Sequence, residues 1–365
     1  MSSVFPFSLP WPTVAYVALY VMTLLLHAIF MSYVLAGVLM VAAAKVRALL
    51  GGTSTGPITT VLVDWLPFSL SAAITAGIAP LLFVQILYQE AFYTANLLLF
   101  HRWMAILPVL IVAFYLLYVL KAKSVAPRVS AVVAVVIAGA VMFVGWSWVE
   151  NHLLSLDRGA WSNHYAKGAM VYRDPVVFAR LGFWILAAIP TAAHLIARQL
   201  AAGASSTNPA EAPIHTRFLA PAAVVCLVGA IALGSPILQG SWTLFHPPTD
   251  GIQGTMQLWL GVASAGALLQ LASWVATWRG AGVAPWTLRA GSIGILAFWF
   301  GVLSAREAIR VATLGGAETM ERHARVATTS GLVVFFVFSL LAAGAVIWIA
   351  RTVRKALTSA NSNDD

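Results

Sequence analysis

Charge is what this 365-residue sequence has least of: Asp, Glu, Lys and Arg together make up 9% of it. A soluble globular chain carries roughly 25%. So little charge cannot cover a water-facing surface, because Lys, Glu, Arg and Asp are the residues that normally do so. Cysteine is almost absent too. The single Cys226, inside an apolar run, excludes an intrachain disulfide and a thiolate metal cluster and reads as packing. There is no CxxCH haem attachment, no GxxxxGK[ST] phosphate loop and no GxSxG nucleophile elbow. The N-terminus has no basic stretch ahead of its first apolar run, and that run is too long for a cleavable signal peptide. No Pro, Gly or Ser-rich linker separates folding units, and no internal repeat stands out.

What is present is hydrophobic length. Hydrophobic residues account for 61% of positions, and runs of about 20, enough to cross roughly 30 Å of hydrocarbon, recur along the chain. The alternation of a membrane barrel is missing. Helices are then the remaining way to satisfy the backbone in lipid. The expected fold is an all-α polytopic membrane bundle of about nine segments: 13–46, 66–89, 103–121, 128–149, 177–198, 217–237, 256–278, 286–305 and 328–351. Residues 1–357 are expected to form one transmembrane domain, followed by a disordered polar tail, 358–365.

The net charge of +9 is spread singly or in pairs between the apolar runs, without a basic stripe. It reads as topology and headgroup anchoring rather than nucleic-acid binding. Of the 21 Lys and Arg residues, twelve fall in gaps 1–2, 3–4, 5–6 and 7–8 and the C-terminal tail, against nine on the other side. That split places the N-terminus outside and the C-terminus in the cytoplasm. Most polar material then lies outside. Trp146 to Asp174 reads as a Trp- and His-rich interfacial segment, Pro247-Pro248 break a short loop, and Ala317 to Arg325 read as a short surface helix.

Chemistry falls mainly to the eight histidines. His27 lies deep in the first segment, where an imidazole needs a partner: either a haem iron or a hydrogen bond to a neighbouring helix. His194, near the inner interface, is too far along the bundle to clamp the same iron and reads as interfacial. His101, followed by Arg102 and Trp103, stands with Tyr88 and Glu90 on the outer side; this group suits a quinone head, a haem propionate or a partner, or is an ordinary aromatic belt. Arg306, Glu307 and Arg310 close segment eight. Glu307 and Arg310, at i,i+3, share a helical face, and Arg306 is placed either to hold an anionic group such as a haem propionate or to anchor at the membrane edge. His152, His164, His246 and His323 fall in outer loops and match no HExxH zinc pattern.

Four stretches carry a resemblance to subunit I of cytochrome bd-type quinol oxidases: His27 in LLLHAIFMSYVLAG; WLPFSLSAAITAGIAPLLFVQILY, with Thr75, Gly77, Ile78 and Pro80; the Trp-rich end of segment four leading to Asp174-Pro175; and SAREAIRVATL, with Arg306 in the place of a motif arginine. The resemblance implies haem b on His27, quinone or quinol as electron donor, and membrane or periplasmic electron-transfer partners such as cytochromes. The chain departs from the family where a ligand histidine is expected early in helix five, which has Phe183 nearest. It departs again before the arginine motif, where Leu303 and Ser304 replace a haem-serving glutamate, and in the reduced 238–255 loop. The implied protein is an oxidoreductase subunit acting on quinol whose oxygen-reducing site is incomplete. Two other classes remain open: a non-haem membrane anchor for a multi-protein complex, and a solute transporter, against which stand the missing repeat and the lack of paired intramembrane charges.

Overall fold

The computed structural model describes Phe5, 8–52, 56–122, 124–245, 252–315, His323 and 332–361. Among these residues there are helices and turns and no strand. The helices are α1 (Trp11–Leu49), α2 (Pro57–Leu87), α3 (Gln89–Leu98), α4 (Phe100–Lys121), α5 (Pro127–Leu156), α6 (Trp161–Ala166), α7 (Pro175–Ala201), α8 (Ala212–Phe245), α9 (Ile252–Ala276), α10 (Pro285–Leu314) and α11 (Leu332–Asn361). Eight of the described helical stretches are long and apolar enough to cross a membrane, and each coincides with an expected segment. The described part of the ninth expected segment, 332–351, is helical within α11. The protein is an all-α, multi-span membrane protein.

Local chemistry sets the helix ends. Pro57, Pro127, Pro175 and Pro285 each occupy the first turn of a helix, where a missing N–H costs nothing and the fixed φ suits helix entry. Asp174 caps α7 by accepting a bond from the Val176 N–H at 2.8 Å. At the other end of α7, Gly203 takes up a left-handed φ of 69° and donates to the Leu200 carbonyl, closing the helix where a side chain would be strained. The helices start earlier or end later than the apolar runs because polar first and last turns still belong to the helix.

One such extension changes the reading of the chain. Trp146 to Leu156 is not part of an interfacial segment: it is the last three turns of α5, with Glu150, Asn151 and His152 buried. Only the short stretch after it, with α6, leaves the bundle. That stretch is pinned by Trp161, whose indole N–H donates to the Leu154 carbonyl at 2.7 Å, and by Tyr172, whose hydroxyl donates to Asp157 at 2.8 Å. Burial first, and then the Asp157 carboxylate, hold the Tyr172 phenol well above its usual range, so it stays a donor.

The chain forms two compact units. One comprises Met1–Ser8 and Tyr16–Gly316, the other Leu9–Ala15 and Ala317–Asp365. In the first, Leu62, Leu66, Leu117 and Ile196 are fully buried in the core that joins α1, α2, α4 and α7. Helices α9 and α10 approach backbone to backbone across small residues. A Cβ on Gly266 would stand 2.3 Å from the Phe298 nitrogen, and one on Gly301 would stand 2.4 Å from the Ala263 nitrogen. Gly266→Leu is therefore expected to force the pair apart at a cost of about 3 kcal/mol or more, read as a lower unfolding midpoint in detergent. Gly139→Ala, whose added carbon meets nothing within 4 Å, should leave it unchanged. In the second unit, the Thr13 hydroxyl lies 3.0 Å from His323 Nδ1. His246, Pro247-Pro248, the rest of 316–322 and 324–331, and residues 362–365 lie outside the described residues, while α11 extends to Asn361.

Candidate functional site

Helix α1 places His27 against α2. Its Nδ1 lies 2.9 Å from the carbonyl oxygen of Ala73, on the neighbouring helix. A carbonyl only accepts, so Nδ1 carries the proton and Nε2 keeps its lone pair. The ring rests on Gly77: a Cβ there would be 3.0 Å from both Nδ1 and Cε1. His27 is half-buried, and the neighbouring Leu26, Ile74 and Ile78 are exposed, so the α1–α2 edge beside it is apolar and open. Of the two expectations for this histidine, the hydrogen bond to the neighbouring helix is present, and the other ring nitrogen keeps its lone pair. Imidazoles that ligate metals commonly have this arrangement, the second N–H going to a carbonyl that fixes tautomer and orientation.

A second set of polar side chains converges at the end of the bundle where α1 and α7 begin and α2, α5 and α10 finish. Arg310, on α10, is 4% exposed at its side chain and is bonded on every side. It donates to the Tyr20 hydroxyl at 2.9 Å, to Glu307 at 3.3 Å and to His152 Nδ1 at 2.8 Å. Because a guanidinium only donates, His152 accepts at Nδ1 and is the Nε2–H tautomer. Tyr88 donates to the other Glu307 oxygen at 2.5 Å, and Arg306 reaches the Tyr20 hydroxyl at 3.3 Å. The Arg310 guanidinium also lies over the Tyr20 and Tyr88 rings, 5.6 and 5.2 Å from their centroids. Arg180, on α7, lies close enough to Arg306, Arg310 and His152 to feel their charges. Among the described residues of this cluster, Arg310 pairs with the Glu307 carboxylate, Arg306 and Arg180 stand close by, and Asp174 lies near Arg180. The surplus is positive, in a setting where charge is costly, and suits an anion.

Sequence reasoning identified Arg306 and the Glu307–Arg310 pair but missed the other members. Tyr20 looked like an ordinary aromatic of a membrane segment, and His152 looked like a loop residue. The available signal for His152 was the unbroken helical run from Pro127 through Leu156, with Glu150 and Asn151 beside it. The same end holds a buried ion pair: Arg102 meets the fully buried Glu150 at 2.8 Å, with its guanidinium 3.9 Å from the Trp146 ring centroid. Asn151 donates to Asn96 at 2.6 Å. His101 and Glu90 are not gathered into this network. Both are exposed, His101 ring-to-ring with Phe100 and Glu90 3.8 Å from Arg158. Tyr88, read as their neighbour, turns instead to Glu307.

His194, expected near the inner interface, is enclosed by neighbouring helices. It is buried, with Nε2 2.9 Å from the Ser292 hydroxyl on α10 and its ring against Gly291. Aromatic side chains pack α7 against α8 and α10. Trp184 and Trp299 stack with rings 5.1 Å apart, the Trp299 indole donates to Thr191 at 3.0 Å, and Phe183 lies against Gly234 and Phe298. The position nearest the expected helix-five histidine is thus apolar core. Among the described residues no group of three or more His, Cys, Asp or Glu side chains is placed to hold a metal ion.

No protein-family model matches this chain, and no curated protein matches it in sequence. Its fold is nevertheless shared with a solved one. The chain is similar to a chain of the bd oxidase from Geobacillus thermodenitrificans, with a TM-score of 0.61 at 11% sequence identity, covering 93% of this chain and 98% of that chain. The likeness therefore runs nearly end to end in both. At that identity it establishes a common architecture, while the chemistry has to be argued from the residues of this chain.

Proposed function

We propose that this protein is a cytochrome bd subunit I-like membrane subunit of a respiratory electron-transfer complex in a bacterial cytoplasmic membrane. In this reading it holds one b-type haem through His27 and connects the quinone pool to a periplasmic partner. The observation that carries this reading is the Nδ1–H···O=C bond from His27 to Ala73, which leaves an imidazole lone pair at an open, apolar edge of the bundle. A b-type haem on that nitrogen would supply one-electron transfer. Tyr20 lies seven residues before His27, on the same face of α1 and about 10 Å along its axis, and its hydroxyl receives Arg306 and Arg310. A ligand at one end and guanidiniums at the other suit a group with a metal centre and anionic arms. On the orientation given by the Lys and Arg distribution, the arginine cluster, Glu90 and His101 lie at the outer face, where a quinone head or a periplasmic cytochrome would approach.

The residues fit one haem and not a set. Phe183, packed on Gly234, offers no second histidine, so the chain is read as relaying electrons rather than reducing oxygen. The same filled interior favours a second reading, a haem-free scaffold whose helices only position partner subunits. The reduced-minus-oxidised visible spectrum of detergent-purified protein from haem-replete cells, with pyridine-haemochrome quantitation, separates the two. The first reading expects a b-type α-band with about one haem per chain; a folded, haem-free protein would replace it with the second.

A further inference from the structure

The contact between His27 and α2 is more specific than packing requires. Within the membrane an imidazole has few partners, and here one nitrogen is committed to a backbone carbonyl of the adjacent helix. The residue one turn further along α2 is glycine, which lets the ring lie close against the helix. An added Cβ at Gly77 would be 3.0 Å from Nδ1 and 3.0 Å from Cε1, a tight contact in which the ring must give by a few tenths of an ångström at the nitrogen that holds Ala73. Glycine is otherwise unfavourable in a helix interior, by about 1 kcal/mol relative to alanine. Gly77 also lies between Pro67 and Pro80 in α2, where the cost adds to that of two missing N–H groups.

We propose that the Ala73 carbonyl and the bare backbone of Gly77 form a seat that fixes His27 as its Nδ1–H tautomer and aims Nε2 outward as the ligand atom, making Gly77 a positioning residue for the haem. This rests on the haem reading of His27 in its consequence, but the seat itself is a property of the protein without haem. Carbonyl partners of ligating imidazoles raise ligand basicity and hold ring orientation, and their loss weakens metal binding by roughly 10- to 100-fold. Gly77→Ala is thus expected to lower haem retention by about tenfold or more and to shift the midpoint potential and the electron paramagnetic resonance signal of the haem that remains. His27→Ala would instead remove the haem entirely.

Two measurements test this. Nitrogen-15 NMR of ring-labelled histidine in haem-free wild-type protein should show His27 as the Nδ1–H tautomer, assigned by its loss in His27→Ala. An Nε2–H tautomer would overturn the seat without involving haem. Haem titration of wild type, Gly77→Ala and the open-space control Gly139→Ala, each checked for helicity and monodispersity, supplies the second. Weaker binding and a shifted potential in Gly77→Ala alone support the proposal. Unchanged binding, potential and resonance signal in a haem-loaded Gly77→Ala would overturn it while leaving the haem reading intact. A wild-type protein that shows the Nδ1–H tautomer but takes up no haem would overturn both the haem reading and Gly77's role toward the haem, leaving only the histidine seat.

Discussion

Replacing His27 with alanine is expected to abolish the Soret and α-bands of the purified protein and bring its haem content from about one per chain to near zero. The expectation is sharp because His152, His194 and Phe183 are committed elsewhere. Phe183 is committed to the aromatic core, and His194 is bonded to Ser292 at another level of the bundle. His152 accepts from Arg310. The loss would not be a by-product of misfolding. His27 is half-buried, and Ala73 O lies inside α2, where the Gly77 N–H is its helical partner. The substitution should cost no more than about 2 kcal/mol of stability. An unchanged haem-to-protein ratio would refute the assignment, and exogenous imidazole restoring the bands to His27→Ala would confirm that a ligand, rather than a fold, was removed.

Arg310→Met is expected to have the largest effect on stability. The side chain is almost wholly enclosed, and it satisfies Tyr20, Glu307 and His152 at once. Without it, Glu307 becomes a buried carboxylate held by the Tyr88 hydroxyl, and His152 Nδ1 loses its donor. Removing one partner of such a pair costs about 3–5 kcal/mol, most of it the penalty for the charge left behind. The comparison that isolates this term is the double variant Glu307→Gln/Arg310→Met, which removes both charges and should recover much of the loss. Unfolding midpoints of wild type, Glu307→Gln, Arg310→Met and the double variant in detergent titrations form the cycle. A double variant as unstable as the sum of the single ones would mean that the two side chains act separately, contrary to the geometry. Arg306 is less enclosed, and its hydrogen bond to the cluster among the described residues goes to Tyr20. Arg306→Met should therefore leave stability close to wild type and act on haem retention, the reverse of the pattern expected from a structural arginine.

The membrane class could be read from composition because lipid imposes it. A chain with so few charges has no other solvent, and with no water to satisfy the backbone each apolar run must close its own hydrogen bonds as a helix. The prolines and Asp174 then mark helix starts in the sequence itself, since their effects are local. His27 and Arg306 could be singled out on the same ground, as polar groups where polarity is costly. Their partners could not. Nothing local tells that Tyr20 will meet α10, that the run after Trp146 continues helically and carries His152 under Arg310, or that Tyr88 will turn from His101 to Glu307. Those pairings join residues up to 290 positions apart, and depend on which helix faces which and at what depth. The proton on His27 was likewise beyond the sequence: it is decided by the Ala73 carbonyl, 46 residues away, and by the missing side chain of Gly77 that lets the ring approach. Solvent and local backbone chemistry determined what this protein is made of, while the convergence of separate helices on single side chains, which only packing can arrange, decided where its chemistry lies.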